Sequence, residues 1–225
     1  MIIAIDGPSG AGKSTLGKRL AKELGLLYLD TGAMYRVAAL AVLEAGESPN
    51  DDEKASEIVS AIKIDLSGTP DDLHVFLNDR EVSQEIRKPE VSQAASVIST
   101  IPAVRRILVD RQKELGQRGA GCVLDGRDIG TVVFPQADVK FFLTATPESR
   151  ADRRLNELKV EYKETTFEQT LREINERDAR DTSRADSPLK MDDDAVVIDS
   201  TNLSAEEVFA RMLTAVGEKG KNAFA

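Results

Sequence analysis

Gly7-Pro8-Ser9-Gly10-Ala11-Gly12-Lys13-Ser14 satisfies G-x-x-x-x-G-K-[ST] at every fixed position. Glycines let a backbone wrap closely around phosphate oxygens. Consecutive N–H groups leading into a helix N-terminus favour negative charge. Lys13 can reach the β- and γ-phosphates, and the Ser14 hydroxyl suits Mg²⁺, partly through water. Thr15 adds another hydroxyl at the helix start. The flanking residues decide the fold. Ile2-Ile3-Ala4-Ile5 is a short apolar run ended by Asp6-Gly7, which suits a parallel strand buried on both faces. Leu16, Leu20 and Leu24 follow at helical spacing. Strand, glycine loop and helix form the first unit of an α/β fold, so residues 7 to 15 are expected to hold the phosphates of a nucleotide.

Further runs extend this core. Cys122-Val123-Leu124, Val139-Lys140-Phe141-Phe142-Leu143 and Ala195-Val196-Val197-Ile198 read as additional strands. Thr146 ahead of Pro147 reads as a helix cap with proline in the first turn. Ser204-Ala205-Glu206-Glu207 reads as a capping box, and Val208, Met212 and Val216 give the last helix an apolar face. Residues 62 to 86 differ. Ile62, Ile64 and Leu66 alternate with polar residues, as do Leu73, Val75 and Leu77, around turn signals at Gly68-Thr69-Pro70-Asp71 and Asn78-Asp79. This pattern predicts a small antiparallel meander inserted into the α/β core. Residues 89 to 116 return to helix with a break at Pro102. Residues 155 to 184 are highly charged and helical in their later half, and the tail from Gly217 is expected to fray.

Composition narrows the function classes. The chain has 225 residues, 41% hydrophobic and 31% charged, enough to bury a core without disulfides. Its net charge of −9, its 4% aromatic content and its lack of Trp argue against nucleic-acid binding. The single Cys122 cannot form an intramolecular disulfide and reads as a small buried residue, and His74 reads as a surface residue of the meander. Without a signal peptide or a long apolar stretch, the expectation is a cytoplasmic protein with no membrane partner. The absence of coiled-coil heptads favours a monomer.

The phosphate loop alone does not name the acceptor, since GTPases, motor ATPases and small-molecule kinases share it. Three Arg-bearing segments bear on the choice: Asp30-Thr31-Gly32-Ala33-Met34-Tyr35-Arg36, Asp125-Gly126-Arg127-Asp128-Ile129-Gly130, and Arg177-Asp178-Ala179-Arg180-Asp181-Thr182-Ser183-Arg184. Open α/β sheets bind ligands at the carboxyl ends of their strands, which puts Asp125, Arg127 and Asp128 at the crevice. Taken alone, Arg177, Asp181 and Arg184 also fit a solvated helix face with i,i+4 pairs. Together with a phosphate loop they fit a kinase, which needs cations around the donor's phosphates and an anionic acceptor.

Over essentially its whole length the chain resembles the bacterial-type cytidylate kinases. The resemblance rests on Ile5 through Ser14, Asp30 through Arg36, Val82-Ser83-Gln84-Glu85-Ile86-Arg87, Asp125 through Pro135 and Glu176 through Arg184. It implies a P-loop three-layer fold with a central parallel sheet, a β insert in the monophosphate-binding region (about 37 to 88) and a short helical lid (about 154 to 184). The core of this single kinase unit would be about 1 to 36, 89 to 153 and 185 to 217. It also implies ATP as phosphoryl donor, Mg²⁺ as cofactor and CMP or dCMP as acceptor. Arg36 and Arg127 would hold the acceptor phosphate, with Thr31 near the same nucleotide. Ser96, Arg105 and Asp128 would read the cytosine edge, and Asp181 with Arg184 would hold the sugar. Lys13, Arg127, Arg177 and Arg184 would gather around the transferring group, and Asp125 joins the acceptor set by its place at a strand end. A carboxylate accepting from the exocyclic amine of cytosine makes a pairing that uracil cannot match. Two alternatives stay open here: a kinase for AMP, UMP or a non-nucleotide acid, and a nucleotide-dependent switch that hydrolyses ATP slowly.

Overall fold

The computed structural model describes residues 1 to 159 and 165 to 222. In chain order the phosphate loop lies between β1 (Ile2–Asp6) and α1 (Lys13–Leu24). Next come β2 (Leu27–Asp30), α2 (Thr31–Glu44), α3 (Asp52–Ala61) and the meander strands β3 (Ile64–Gly68), β4 (Leu73–Leu77) and β5 (Arg80–Glu81). Then follow α4 (Pro89–Ile98), α5 (Pro102–Gly116), β6 (Cys122–Gly126), β7 (Val139–Thr144), α6 (Pro147–Lys159), α7 (Phe167–Ser183), β8 (Val196–Asp199) and α8 (Ala205–Asn222).

The main sheet has the order β2-β6-β1-β7-β8, all parallel. The period of two along each strand divides the core. Ile3, Ile5 and Val123 pack with Leu16 and Leu20 of α1 and with Val208 and Met212 of α8. Ala4, Leu124 and Cys122 face the opposite layer with Met34 and Val37 of α2, Ile98 of α4, and Val104 and Leu108 of α5. A sheet covered on both faces explains the nearly continuous apolar runs of β1 and β6. Burying each such Leu or Ile side chain stabilises the fold by about 1.5–3 kcal/mol.

The inserted meander forms a separate antiparallel sheet, β3-β4-β5. Ile64 stands opposite Leu77 and Leu66 opposite Val75, and Ile64, Val75 and Leu77 are buried in the α2 layer. Asn78 and Asp79, at φ 49° and 67°, make the tight turn into β5. Ile62 caps the end of α3 and is not part of a strand. Pro89 and Pro102 each open a helix, so the break expected at Pro102 is the start of α5. Thr146 accepts from Ser149 N (3.3 Å), and Ser204 and Glu207 close a reciprocal capping box. The expected fraying from Gly217 does not occur at that point. The α8 helix continues to Asn222, carried by the buried stripe Val208, Met212 and Val216. The middle of the expected lid, residues 160 to 164, lies outside the described residues, as do residues 223 to 225 of the tail. Cys122 is buried and donates to Gly116 O, with its thiol pushed up to about 11 by burial. His74 is half-exposed between Glu81 and Asp72, and hydrogen bonds to both hold its imidazole above the usual range.

After β1 the chain moves to one side of the sheet, and after β6 it crosses to the other. This reversal beside β1 opens a crevice at the carboxyl ends of the strands. Four of the five strands end there on aspartate or carry one in their last two positions: Asp6, Asp30, Asp125 and Asp199.

Candidate active site

The phosphate loop closes on itself around its own backbone. Gly7 has φ 146°, and a Cβ there would lie 2.0 Å from Leu143 O on the neighbouring strand, so no other residue fits. Gly12 caps α1 in the left-handed region at φ 90°. Lys13 is 6% exposed and donates to Pro8 O at 2.8 Å across the loop. Burial, with Arg127 nearby, pulls its ammonium well below the usual lysine range. An ammonium in this position is poorly solvated and gains most when phosphate oxygens replace the lost water.

The aspartates at the strand ends organise the surrounding loops. Asp6 accepts from Ile129 N (2.8 Å) and Gly130 N (2.7 Å), which pins the wide turn of Ile129–Val133 against β1. Burial outweighs these bonds and lifts the Asp6 carboxyl to about 6. Asp30 caps α2 by accepting from Ala33 N (2.9 Å). Asp125 accepts from Ser14 Oγ (2.8 Å) and from Tyr28 OH (2.7 Å). Burial first, and Asp30 second, lift it to about 6. The Asp125 carboxylate is thus turned to the phosphate loop. Thr31 lies at the start of α2 and donates to the Asp125 backbone carbonyl at 2.6 Å.

The remaining candidates form a second cluster. Asp128 is ion-paired with Arg105, and its other oxygen lies 3.6 Å from Arg184. Arg105 is 2% exposed and also donates to Ser99 O. Asp181 receives Arg127 Nε at 2.8 Å and stands 3.7 Å from Arg184. Burial pulls the Arg127 guanidinium down, but Asp181, with Asp178 and Asp125, outweighs that and holds it above its usual range. Arg177 is pushed down to about 9, first by burial and then by Arg127. A cavity of about 390 Å³ joins both clusters. Lys13, Thr31, Arg36, Arg105, Asp125, Arg127, Asp128, Arg177, Asp181 and Arg184 all line it. Ser96 does not. Its hydroxyl is buried in α4 with no hydrogen-bond partner among the described residues, while Ala95 and Ser99 of the same helix reach the cavity.

Sequence reasoning missed several residues here. Arg150, 3% exposed, donates to Ser9 O (3.0 Å) and Ala145 O (2.9 Å) and pairs with Asp178 at 2.7 Å. It ties the phosphate loop to α6 and α7. In the sequence it is one more arginine on a charged helix, and only its place three residues after Pro147, in the first turn, set it apart. Arg153 and Arg154 of α6 also line the cavity, and Arg153 donates to Ser200. Tyr35 lines it too, with its ring against Arg105 and its hydroxyl pushed up to about 12 by burial. Tyr28 gave no signal, because β2 is only four residues long.

A phosphate loop facing a row of buried arginines agrees with what comparison with known proteins finds. The cytidylate kinase family profile matches residues 3 to 218. The chain belongs to the cytidylate kinase family. It is 50% identical to the cytidylate kinase of Caldanaerobacter subterraneus subsp. tengcongensis over 219 residues, 97% of this chain and 96% of that protein. It is 49% identical to the cytidylate kinase of Caldicellulosiruptor bescii over 94% of this chain and 93% of the relative. Among solved structures, an uncharacterized protein from Eubacterium ventriosum aligns with a TM-score of 0.54 at 9% identity, over 96% of this chain and 98% of the other. A gluconokinase from Sinorhizobium meliloti aligns at 0.50 and 13% identity, over 99% and 94%. These structural likenesses concern the fold alone. The family match spans both the α/β core and the inserted meander. Among the described residues no helix is long and apolar enough to cross a membrane.

Proposed function

We infer that this protein transfers the γ-phosphoryl group of ATP to CMP or dCMP, giving ADP and CDP or dCDP. The observation that carries the reading is the single cavity lined at one end by the phosphate loop and at the other by Arg105, Asp128, Asp181 and Arg184. Donor phosphates belong on residues 7 to 15, and the acceptor belongs across the strand ends on Arg36, Arg127 and the second cluster. Asp128, held by Arg105, is the cytosine-reading carboxylate. It accepts from the exocyclic amine and meets a second acceptor when uracil is present. Ser96 supports this pocket from α4, and Asp181 serves the sugar hydroxyls once Arg127 shifts towards phosphate.

The donor set at the loop fits Mg²⁺. Ser14 and Asp125 offer two hard oxygens side by side, and a magnesium ion usually takes one or two protein oxygens and completes its shell with water and phosphates. Bound there, Mg²⁺ would neutralise charge on the donor phosphates.

The chain's own residues supply the rest. Lys13 releases Pro8 O and takes up phosphate oxygens. Arg127 and Arg177 offer planar forks that match two oxygens of a phosphoryl group at once. No general base is required, because the attacking phosphate oxygen is already ionised at neutral pH. The protein is a cytoplasmic monomer in this reading, with nucleotides as its partners. ADP formation with ATP and each of CMP, dCMP, UMP, AMP and GMP tests it. Fast turnover with CMP and dCMP, slow with UMP and none with purines is the expected pattern. ATP use that ignores every acceptor would overturn the reading.

A further inference from the structure

Tyr28 is the middle of β2, 5% exposed, and its ring packs in the α1 layer. A phenylalanine would fill that space. The hydroxyl is nevertheless carried into a buried site, where an unpaired polar group costs stability. Its partner is Asp125 Oδ1 at 2.7 Å, and the other oxygen of the same carboxylate, Oδ2, accepts from Ser14 at 2.8 Å. The strand register explains how this is possible. Asp30 stands opposite Asp125, and Tyr28 opposite Val123, so Tyr28 and Asp125 rise from neighbouring strands on the face that looks at α1. The helix is shaped to receive the ring. Gly17 has no side chain where a Cβ would come within 3.0 Å of Tyr28 Cε2, and Lys18 Nζ lies 5.9 Å from the ring centre.

A carboxylate on a short strand end can turn about its last bond. In this position it has two donors on two different elements, one on each oxygen. We propose that Tyr28 is a positioning residue for the metal-and-phosphate end of the cleft, holding Asp125 Oδ1 so that Oδ2 stays directed at Ser14. This rests on the reading above that Ser14 and Asp125 face Mg²⁺. Tyr28 touches neither nucleotide nor metal. It acts through Asp125, as partners behind metal ligands do, where their loss commonly weakens metal binding about 10- to 100-fold.

The test is ATP affinity by calorimetry, with no acceptor present, in saturating Mg²⁺ and again in EDTA. Wild type, Tyr28→Phe and Gly17→Ala are compared, each checked for folding by thermal melting. The Mg²⁺-dependent gain in ATP affinity should shrink about ten-fold in Tyr28→Phe, with affinity in EDTA unchanged. Gly17→Ala, which removes no polar group and displaces the ring, should shrink the gain in the same direction by less, and it carries the test alone if Tyr28→Phe does not fold. A gain equal to wild type in the variants, or an equal loss of affinity with and without Mg²⁺, would mean that Tyr28 only packs, and would overturn the proposal. A wild-type protein whose ATP affinity ignores Mg²⁺ would be a separate result. It would overturn the Mg²⁺ reading, and this proposal with it, while leaving phosphoryl transfer to CMP standing.

Discussion

The donor end and the acceptor end of the cleft are held in different ways. At the donor end Lys13 rests on a backbone carbonyl, Pro8 O, while Arg150 behind the loop binds Ser9 O and Ala145 O and is paired with Asp178. At the acceptor end they rest on carboxylates: Arg105 on Asp128 and Arg127 on Asp181. A carbonyl leaves the charge of a cation in place, so the phosphate loop is prepared for an anion before one arrives. An ion pair cancels that charge, so the acceptor must exchange partners as it binds. In the reading proposed above, Asp128 and Asp181 therefore have two tasks: to compensate the buried Arg105 and Arg127, and to recognise the nucleotide. Removing a charge should accordingly affect catalysis most at the donor end, and selectivity or stability elsewhere.

The largest effect belongs to Lys13. Lys13→Ala should lower kcat/KM about 10³-fold with little change in melting temperature, since removing one preorganised charge at a transferring group has that order of cost. Near-normal turnover would erase the contrast between the two ends. Arg150 comes next. Arg150→Met removes the tie between the loop and α7 and leaves Asp178 without its partner, so a loss of about 2–3 kcal/mol in denaturant unfolding is expected, with a raised KM for ATP and an unaltered KM for CMP. Equal changes in both KM values would show that the two ends are not separately built. The smallest effect is in pH. Asp6, lifted to about 6 when folded, binds a proton in the native state at pH values where the unfolded chain does not. Its contribution therefore favours the folded state increasingly as pH falls through 6 towards 4. Denaturant unfolding at pH 7 and pH 5 should show wild type gaining on Asp6→Asn at the lower pH, because the amide does not titrate. A constant difference between the two would place the carboxyl in its ordinary range.

The same contrast governs what could be read from the sequence. The phosphate loop is one uninterrupted segment that matches G-x-x-x-x-G-K-[ST] at every fixed position, so the loop and the strand and helix around it were legible from spacing. The acceptor set is dispersed over α2, α4, α5, β6 and α7, and no local pattern links Arg105 to Asp128. Only the resemblance to a family brought them together. The α2 helix escaped periodicity because it is buried nearly all round, with Ala33, Met34, Val37, Ala38, Ala39, Leu40, Ala41 and Val42 inaccessible, so no apolar stripe stands out. Strand β2 is four residues long and begins with the exposed Leu27, too short for alternation to register. Arg150 and Tyr28 were invisible for a different reason. Each matters because of a partner more than ninety residues away in the chain, Ser9 and Asp125 respectively.

The central claim is that the acceptor end reads cytosine through the charge of Asp128. It is tested most directly by the ratio of kcat/KM for CMP to that for UMP in wild type and in Asp128→Asn. A side-chain amide can turn either its oxygen to the amine of cytosine or its nitrogen to the carbonyl of uracil. The ratio should fall by about 1–3 kcal/mol of discrimination, roughly 5- to 150-fold, mainly through a gain on UMP. A ratio unchanged from wild type, in a variant that still folds and turns over CMP, would contradict the claim.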